Sequence, residues 1–96
     1  MAKTRKSSKS NLRRVKFSFE SPDAREVMVL GDFNNWDPAA HPMKSDGNGK
    51  WDRTVMIIPG KYEYKFLVDS QWQVDPCNDQ RSPNCFGTDN SVLKLK

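Results

Sequence analysis

Trp36 stands in a polar stretch, between Asn34 and Asn35 on one side and Asp37 and Pro38 on the other, with no adjacent apolar residue to make it part of a strand's core face. An indole so placed is suited to contact, because it joins a flat apolar face to a single N–H donor. Trp72 follows the turn residues Asp69, Ser70 and Gln71 and so also lies at a sheet edge beside a loop. Trp51 differs, since it alternates in step with Val55 and Ile57, and that assigns it to packing. Two loop indoles match a pyranose ring, which has a patch of axial C–H groups on its flat face and a rim of hydroxyls. The indoles cover the patch, and polar side chains take the rim. An ammonium and a carboxamide complete such a site. Lys65, seven residues before Trp72, and Asn90, at the end of a polar loop, are placed to supply them.

Reactive chemistry has less support. The single histidine, His41, precedes a proline in a loop, a setting for a packed or solvated ring rather than a general base. No nucleophile elbow, metal-ligand cluster or Gly-rich strand-to-helix loop can be read, so the expectation is no enzyme, no metal and no cofactor. The 12 acids are scattered, and a solvated surface accounts for them without a paired-carboxylate site.

The elements that must hold these residues read as short strands. Val15, Phe17 and Phe19 alternate with Lys16, Ser18 and Glu20, the period of a strand with one buried face. A second strand is expected over 26–33, with Val27 and Val29 on one face and Met28 and Leu30 on the other, and a third over 51–58. Tyr62, Tyr64, Phe66 and Val68 alternate with Lys61, Glu63, Lys65 and Leu67 in the clearest strand of the chain. A short strand surrounds Trp72 and Val74. The Pro-, Asn- and Ser-rich stretch 75–90 is expected to be a long ordered loop, and 91–96 closes the domain. With no sustained 3.6-residue period, the pattern indicates an all-β antiparallel sandwich or barrel.

Ninety-six residues leave room for one domain. Residues 1–14 carry six basic side chains, no acid and one branched aliphatic, Leu12, too little apolar surface to offset the entropy of ordering, so a disordered basic tail is expected there. Subtracting its charge from the whole-chain +4 leaves −2 for the domain expected over 15–96, which argues against nucleic acid as a partner. No run is long and apolar enough for a membrane span, and no apolar run of a secretory signal follows the basic start. The expectation is therefore a cytoplasmic protein without a membrane partner, an organelle leader being the secondary reading. Cys77 and Cys85, with seven residues between them, form no recognisable scaffold and are read as free thiols, a bridge across the loop being the alternative.

Three ordered segments carry a resemblance. The run from Val29 to Trp36, read V-L-G-D-F-N-N-W, resembles the "G-x-F-N-x-W" segment of the family 48 carbohydrate-binding modules. That group includes the glycogen-binding domain of the AMP-activated kinase beta subunit and the early-set domains of isoamylase and branching enzymes. The run from Pro59 to Asp69, P-G-K-Y-E-Y-K-F-L-V-D, is similar to the family's "P-G-x-Y-x-Y-K-F-x-V-D" segment. Trp72, then Asp75 and Pro76, continue the pattern. The resemblance covers roughly residues 15–96. It implies an immunoglobulin-like, early-set β-sandwich that binds α-1,4-linked glucans or maltooligosaccharides without altering them. Carried over by position, Trp36 and Trp72 are the stacking platforms and Lys65 the hydroxyl donor. Asn90 matches the family's hydrogen-bonding asparagine, and Thr88 lies near it. Phe86 falls where kinase-type domains have a leucine, a departure that adds a third stack or narrows the cleft. The rival reading is a protein-interaction module docking onto a glucan-metabolising enzyme or a kinase-like partner.

Overall fold

The computed structural model describes residues 12–96. Eight strands, joined by turns and one 3-10 turn, form two antiparallel sheets. β1 (Arg13–Glu20), β3 (Lys44–Ser45) and β4 (Lys50–Ile57) make the first, in the order β1-β4-β3. β2 (Val27–Gly31), β5 (Gly60–Val68), β6 (Gln71–Gln73), β7 (Arg81–Pro83) and β8 (Asp89–Leu95) make the second, in the order β2-β5-β8-β7 with β6 also on β5. The result is a β-sandwich, one of the two architectures that the alternation allowed, in the immunoglobulin-like form that the resemblance implied.

The core lies between the sheets because the alternating apolar sets face each other. Phe17, Trp51, Val55 and Ile57 come from the first sheet and Val27, Val29, Tyr64 and Phe66 from the second, with Met43 filling in from the connecting segment. Aromatic contacts bridge the gap. Phe17 meets Tyr64 edge-on at 5.1 Å between centroids, and Phe19 meets Phe66 at 5.0 Å. The outer edge of β2 is not left open, since Val29 N–H donates to the His41 carbonyl and Met43 N–H to the Val27 carbonyl.

Two expectations differ from what is found. Arg13 and Arg14, assigned to the tail, are the first residues of β1 and pair with Ile57 and Met56. β4 runs on to Ile57, and its backbone groups take partners there while both arginine side chains stay exposed. The rest of the tail assignment, residues 1–11, lies outside the described residues. The stretch 75–90 is not one loop: it contains β7, and β8 begins at Asp89. The long segment is tied down by Asp75, whose Oδ2 accepts from Tyr64 Oη at 2.6 Å and Oδ1 from Cys77 N–H. Its own N–H donates to Ser91 Oγ. Burial, with the Asp75 carboxylate beside it, pushes the Tyr64 hydroxyl far above the ordinary range of a phenol.

Gly31, the last residue of β2, marks a close approach. A Cβ built there meets the Glu63 carbonyl oxygen at 2.6 Å and Tyr64 Cβ at 2.7 Å. Two of β5's own atoms would have to move, so Gly31→Ala should destabilise the domain by about 3 kcal/mol, the upper end for overpacking. A urea titration checks this, and an unchanged midpoint would show that β2 shifts freely.

Candidate functional site

β5 is the strand that positions the site, because it changes partners midway. One edge pairs with β2 from Tyr64 to Val68. The other pairs with β8 from Gly60 to Tyr64 and with β6 from Phe66 to Val68. Lys65 falls at the change, so the ladder is interrupted beside it and the chain between β6 and β8 swings out to form a wall. Alternation turns Lys65 away from the core, next to Leu30 in register, and Leu67 with its partner Trp72 onto the same outer face.

Trp36 reaches this face from the turn after β2. Asn35 and Trp36 both have left-handed backbones, with φ of 57° and 55°. A bulky residue in that region is strained by about 1–3 kcal/mol, and it persists where neighbours fix it. Here they do. Trp36 N–H donates to the Gly31 carbonyl, and its Nε1 donates to Asp32 Oδ1 at 3.0 Å, while Asp32 Oδ2 accepts from the Glu63 N–H at 2.8 Å. Asn34 secures the turn from inside, accepting from Gly31 N–H and donating Nδ2 to the Val29 carbonyl and to His41 Nδ1 at 2.9 Å. That contact requires an unprotonated Nδ1. Burial and then the Arg53 charge hold the His41 pKa below its ordinary value, which favours the same form. His41 is thus a brace for the Trp36 turn.

Trp72 comes from the opposite side. The β5–β6 hairpin turns through Asp69 and Ser70, both at positive φ, and the Asp69 carboxylate accepts from the Arg25 and Glu26 N–H groups. The two indoles meet with centroids 6.1 Å apart and planes at 65°, and Trp72 is half exposed.

The far wall is the turn between β7 and β8. Asn84 organises it: Oδ1 accepts from the N–H groups of Phe86 and Thr88, and Nδ2 donates to Thr88 Oγ1 and Asn90 Oδ1. Asn90 Nδ2 donates to Glu63 Oε1 at 3.0 Å, and Lys65 Nζ donates to Thr88 Oγ1 at 3.2 Å. Phe86 stands at the tip, 85% exposed.

All six side chains singled out in the sequence, Trp36, Lys65, Trp72, Phe86, Thr88 and Asn90, line one cleft of about 770 Å³. Asp32, Glu63, Asn84 and Cys85 line it too and were not anticipated. Glu63 was within reach of sequence reasoning, because it shares the outward face of β5 with Lys65. Asn84 and Asp32 were not: Asn84 acts through Phe86, Thr88 and Asn90 in a stretch with no period to read, and Asp32 joins Trp36 to the distant Glu63 N–H. Cys77 and Cys85 are unpaired and exposed, and Trp51 is buried with Nε1 donating to the Ser21 carbonyl, both as the sequence suggested.

The cleft can grip a ligand that has flat apolar faces and many hydroxyls. Residues 13–96 match the family described as the glycogen recognition site of AMP-activated protein kinase. The chain belongs to that family. It is 34% identical to the protein FLOURY ENDOSPERM 6, chloroplastic, of Oryza sativa subsp. japonica over 90% of this chain and 16% of that protein. It is 45% identical to the protein PTST homolog 2, chloroplastic, of Arabidopsis thaliana over 55% of this chain and 10% of that protein. It is 46% identical to a 1,4-alpha-glucan branching enzyme of Nitrobacter winogradskyi over 53% of this chain and 7% of that enzyme. The chain therefore spans less than a fifth of the length of these relatives.

Proposed function

We propose that the cleft binds α-1,4-linked glucans, such as glycogen, starch or maltooligosaccharides, and leaves them chemically unchanged. Trp36 and Trp72 supply the stacking faces, Lys65 donates to hydroxyls, and Asn90, Thr88 and Phe86 line the wall. The observation that carries the reading is Lys65. Its side chain is only 7% exposed, yet its ammonium makes one hydrogen bond, to Thr88 Oγ1, and two of its N–H groups remain for a ligand. A buried ammonium is costly without partners, and here it lines the same cleft as two aromatic platforms that suit sugar rings. The angle between the indoles favours a curved chain over a flat ribbon, because successive rings of an α-1,4 glucan turn relative to one another.

The family and the named relatives support this reading for the domain, and the branching enzymes match it only over a small fraction of their length. Asn90 has part of its amide engaged already, by Glu63 and Asn84, so it offers a ligand one N–H and one lone pair. The unpaired thiols support a reducing compartment, the cytosol in this reading. An enzyme that acts on the same glucan is the partner this function would serve.

Retardation in native gels tests the proposal. Glycogen and amylopectin should slow migration and a β-glucan should not; equal migration in all three would favour the docking module instead. Cys85 offers a second check, because it lines the cleft while Cys77, also exposed, does not. Saturating maltoheptaose should slow maleimide labelling of Cys85 at least about fivefold, roughly 80% occupancy or more at the cleft, and leave Cys77 unchanged. Equal protection of both thiols, or of neither, would remove the ligand from this cleft.

A further inference from the structure

Glu63 and Lys65 carry opposite charges, sit two residues apart on the outward face of β5 and line the same cleft, yet no ion pair joins them. Lys65 gives one N–H to Thr88, and Glu63 takes one, at Oε1, from Asn90. Glu63 Oε2 has no donor among the described residues. Opposite charges on neighbouring side chains in a partly desolvated cleft attract strongly, so their separation calls for an account. The hydrogen bonds supply one: Asn90 draws the carboxylate toward β8, and Thr88 draws the ammonium toward the β7–β8 turn. Asn84 locks both anchors by bonding Asn90 Oδ1 and Thr88 Oγ1.

We propose that Glu63 and Lys65 form an acceptor–donor clamp for the adjacent 2- and 3-hydroxyls of one glucose unit. This rests on the glucan reading above and adds a residue that sets specificity within it. Cα atoms two apart on a strand are about 7 Å apart. A pair of neighbouring equatorial hydroxyls, themselves at hydrogen-bonding distance, fills such a gap when one gives its hydrogen to Glu63 Oε2 and the other accepts from Lys65 Nζ. Both bonds are charge-assisted, so they are stronger than bonds between neutral groups. Each hydroxyl is donor and acceptor at once, so a diol can answer both charges across a wider gap than a lone hydroxyl spans, whereas an ether, with no hydrogen to give, can answer only Lys65. Asp32 does not compete for this role, because its two oxygens already hold Trp36 Nε1 and the Glu63 N–H.

Glu63→Gln is the variant that isolates the clamp. It keeps an oxygen for Asn90 and replaces the free acceptor by a donor. Full-length wild type and E63Q are titrated by NMR with a methyl maltotrioside and with its analogues deoxygenated at C2 or C3 of the central ring, alongside melting curves. E63Q is expected to bind the parent at least about fivefold more weakly at unchanged melting temperature. Wild type should lose a similar factor with each deoxy analogue. In E63Q one of the two analogues, the one lacking the hydroxyl that gives to Glu63, should bind no worse than the parent. Wild-type affinity in E63Q, or the same loss for both analogues in E63Q as in wild type, overturns the clamp. If E63Q melts early, the wild-type series decides alone, since indifference to both deoxygenations overturns the clamp as well. Failure of wild type to bind either the parent trioside or glycogen is a different result and removes the glucan reading itself.

Discussion

Trp72→Ala and Trp36→Ala should each weaken binding of maltoheptaose or β-cyclodextrin at least about tenfold, or ~1.4 kcal/mol, in a protein that stays folded. Each indole supplies the cleft with a flat surface that no neighbour replaces, and such contacts contribute about 0.5–1.5 kcal/mol beyond the area they bury. The wild-type affinity against which this is read should be modest. A few stacking and hydrogen-bonding contacts, less the cost of association, correspond to a dissociation constant on the order of micromolar to millimolar. Trp72 is the cleaner test, since it is half exposed on a three-residue edge strand and its removal leaves the core intact. Trp36 also contacts Trp72 and holds Asp32, so its loss should loosen the other platform, and the double variant should lose less than the product of the singles. Calorimetric titration of each variant, with a melting curve, is the measurement. Folded variants that bind with wild-type affinity would place the ligand elsewhere.

How much of this was legible in the sequence depends on how local the cause was. β1, β4 and β5 were readable because each alternates apolar and polar side chains over eight or nine residues, and one buried face enforces that period. β3 and β7 were not. At two and three residues they have no period, and β7 holds Pro83, which sequence reasoning assigns to a loop. Trp36 and Trp72 stood out since an indole among Asn, Asp and Gln has no local partner. Lys65 was placed on the outward face of β5, but its burial was invisible: alternation equates outward with exposed. The lysine is covered because the β7–β8 turn folds across the break between β6 and β8, a long-range event held by the Lys65–Thr88 and Glu63–Asn90 bonds. Leu30 shows the same thing. Alternation turns it away from the core that buries Val27 and Val29, yet it is 2% exposed beside Lys65. The face that sequence alone would hand to solvent is a second packed surface, and the cleft is built on it.

Trp51→Ala should act on the fold, lowering stability by about 3–5 kcal/mol, the range for truncating a buried tryptophan or phenylalanine. Trp51 is 8% exposed, lies opposite Phe19 in the β1–β4 ladder and belongs to the inter-sheet core. Its Nε1 donates to the Ser21 carbonyl at 3.1 Å, so the indole also fixes the chain where β1 ends. Alanine would leave a cavity facing the second sheet and take from the Ser21 carbonyl one of its two donors, the Ala24 N–H remaining. A domain of this size has a total stability of about 5–12 kcal/mol, so the change removes a large share of it. The melting temperature should fall by at least about 12 °C. Below the new transition, glucan affinity should stay within about twofold of wild type, or ~0.4 kcal/mol, because no atom of Trp51 lines the cleft. Trp51 and Trp72 then separate cleanly, one governing melting and the other binding. A Trp51→Ala protein that melts like wild type, or one that is folded and has lost its ligand, would break that division.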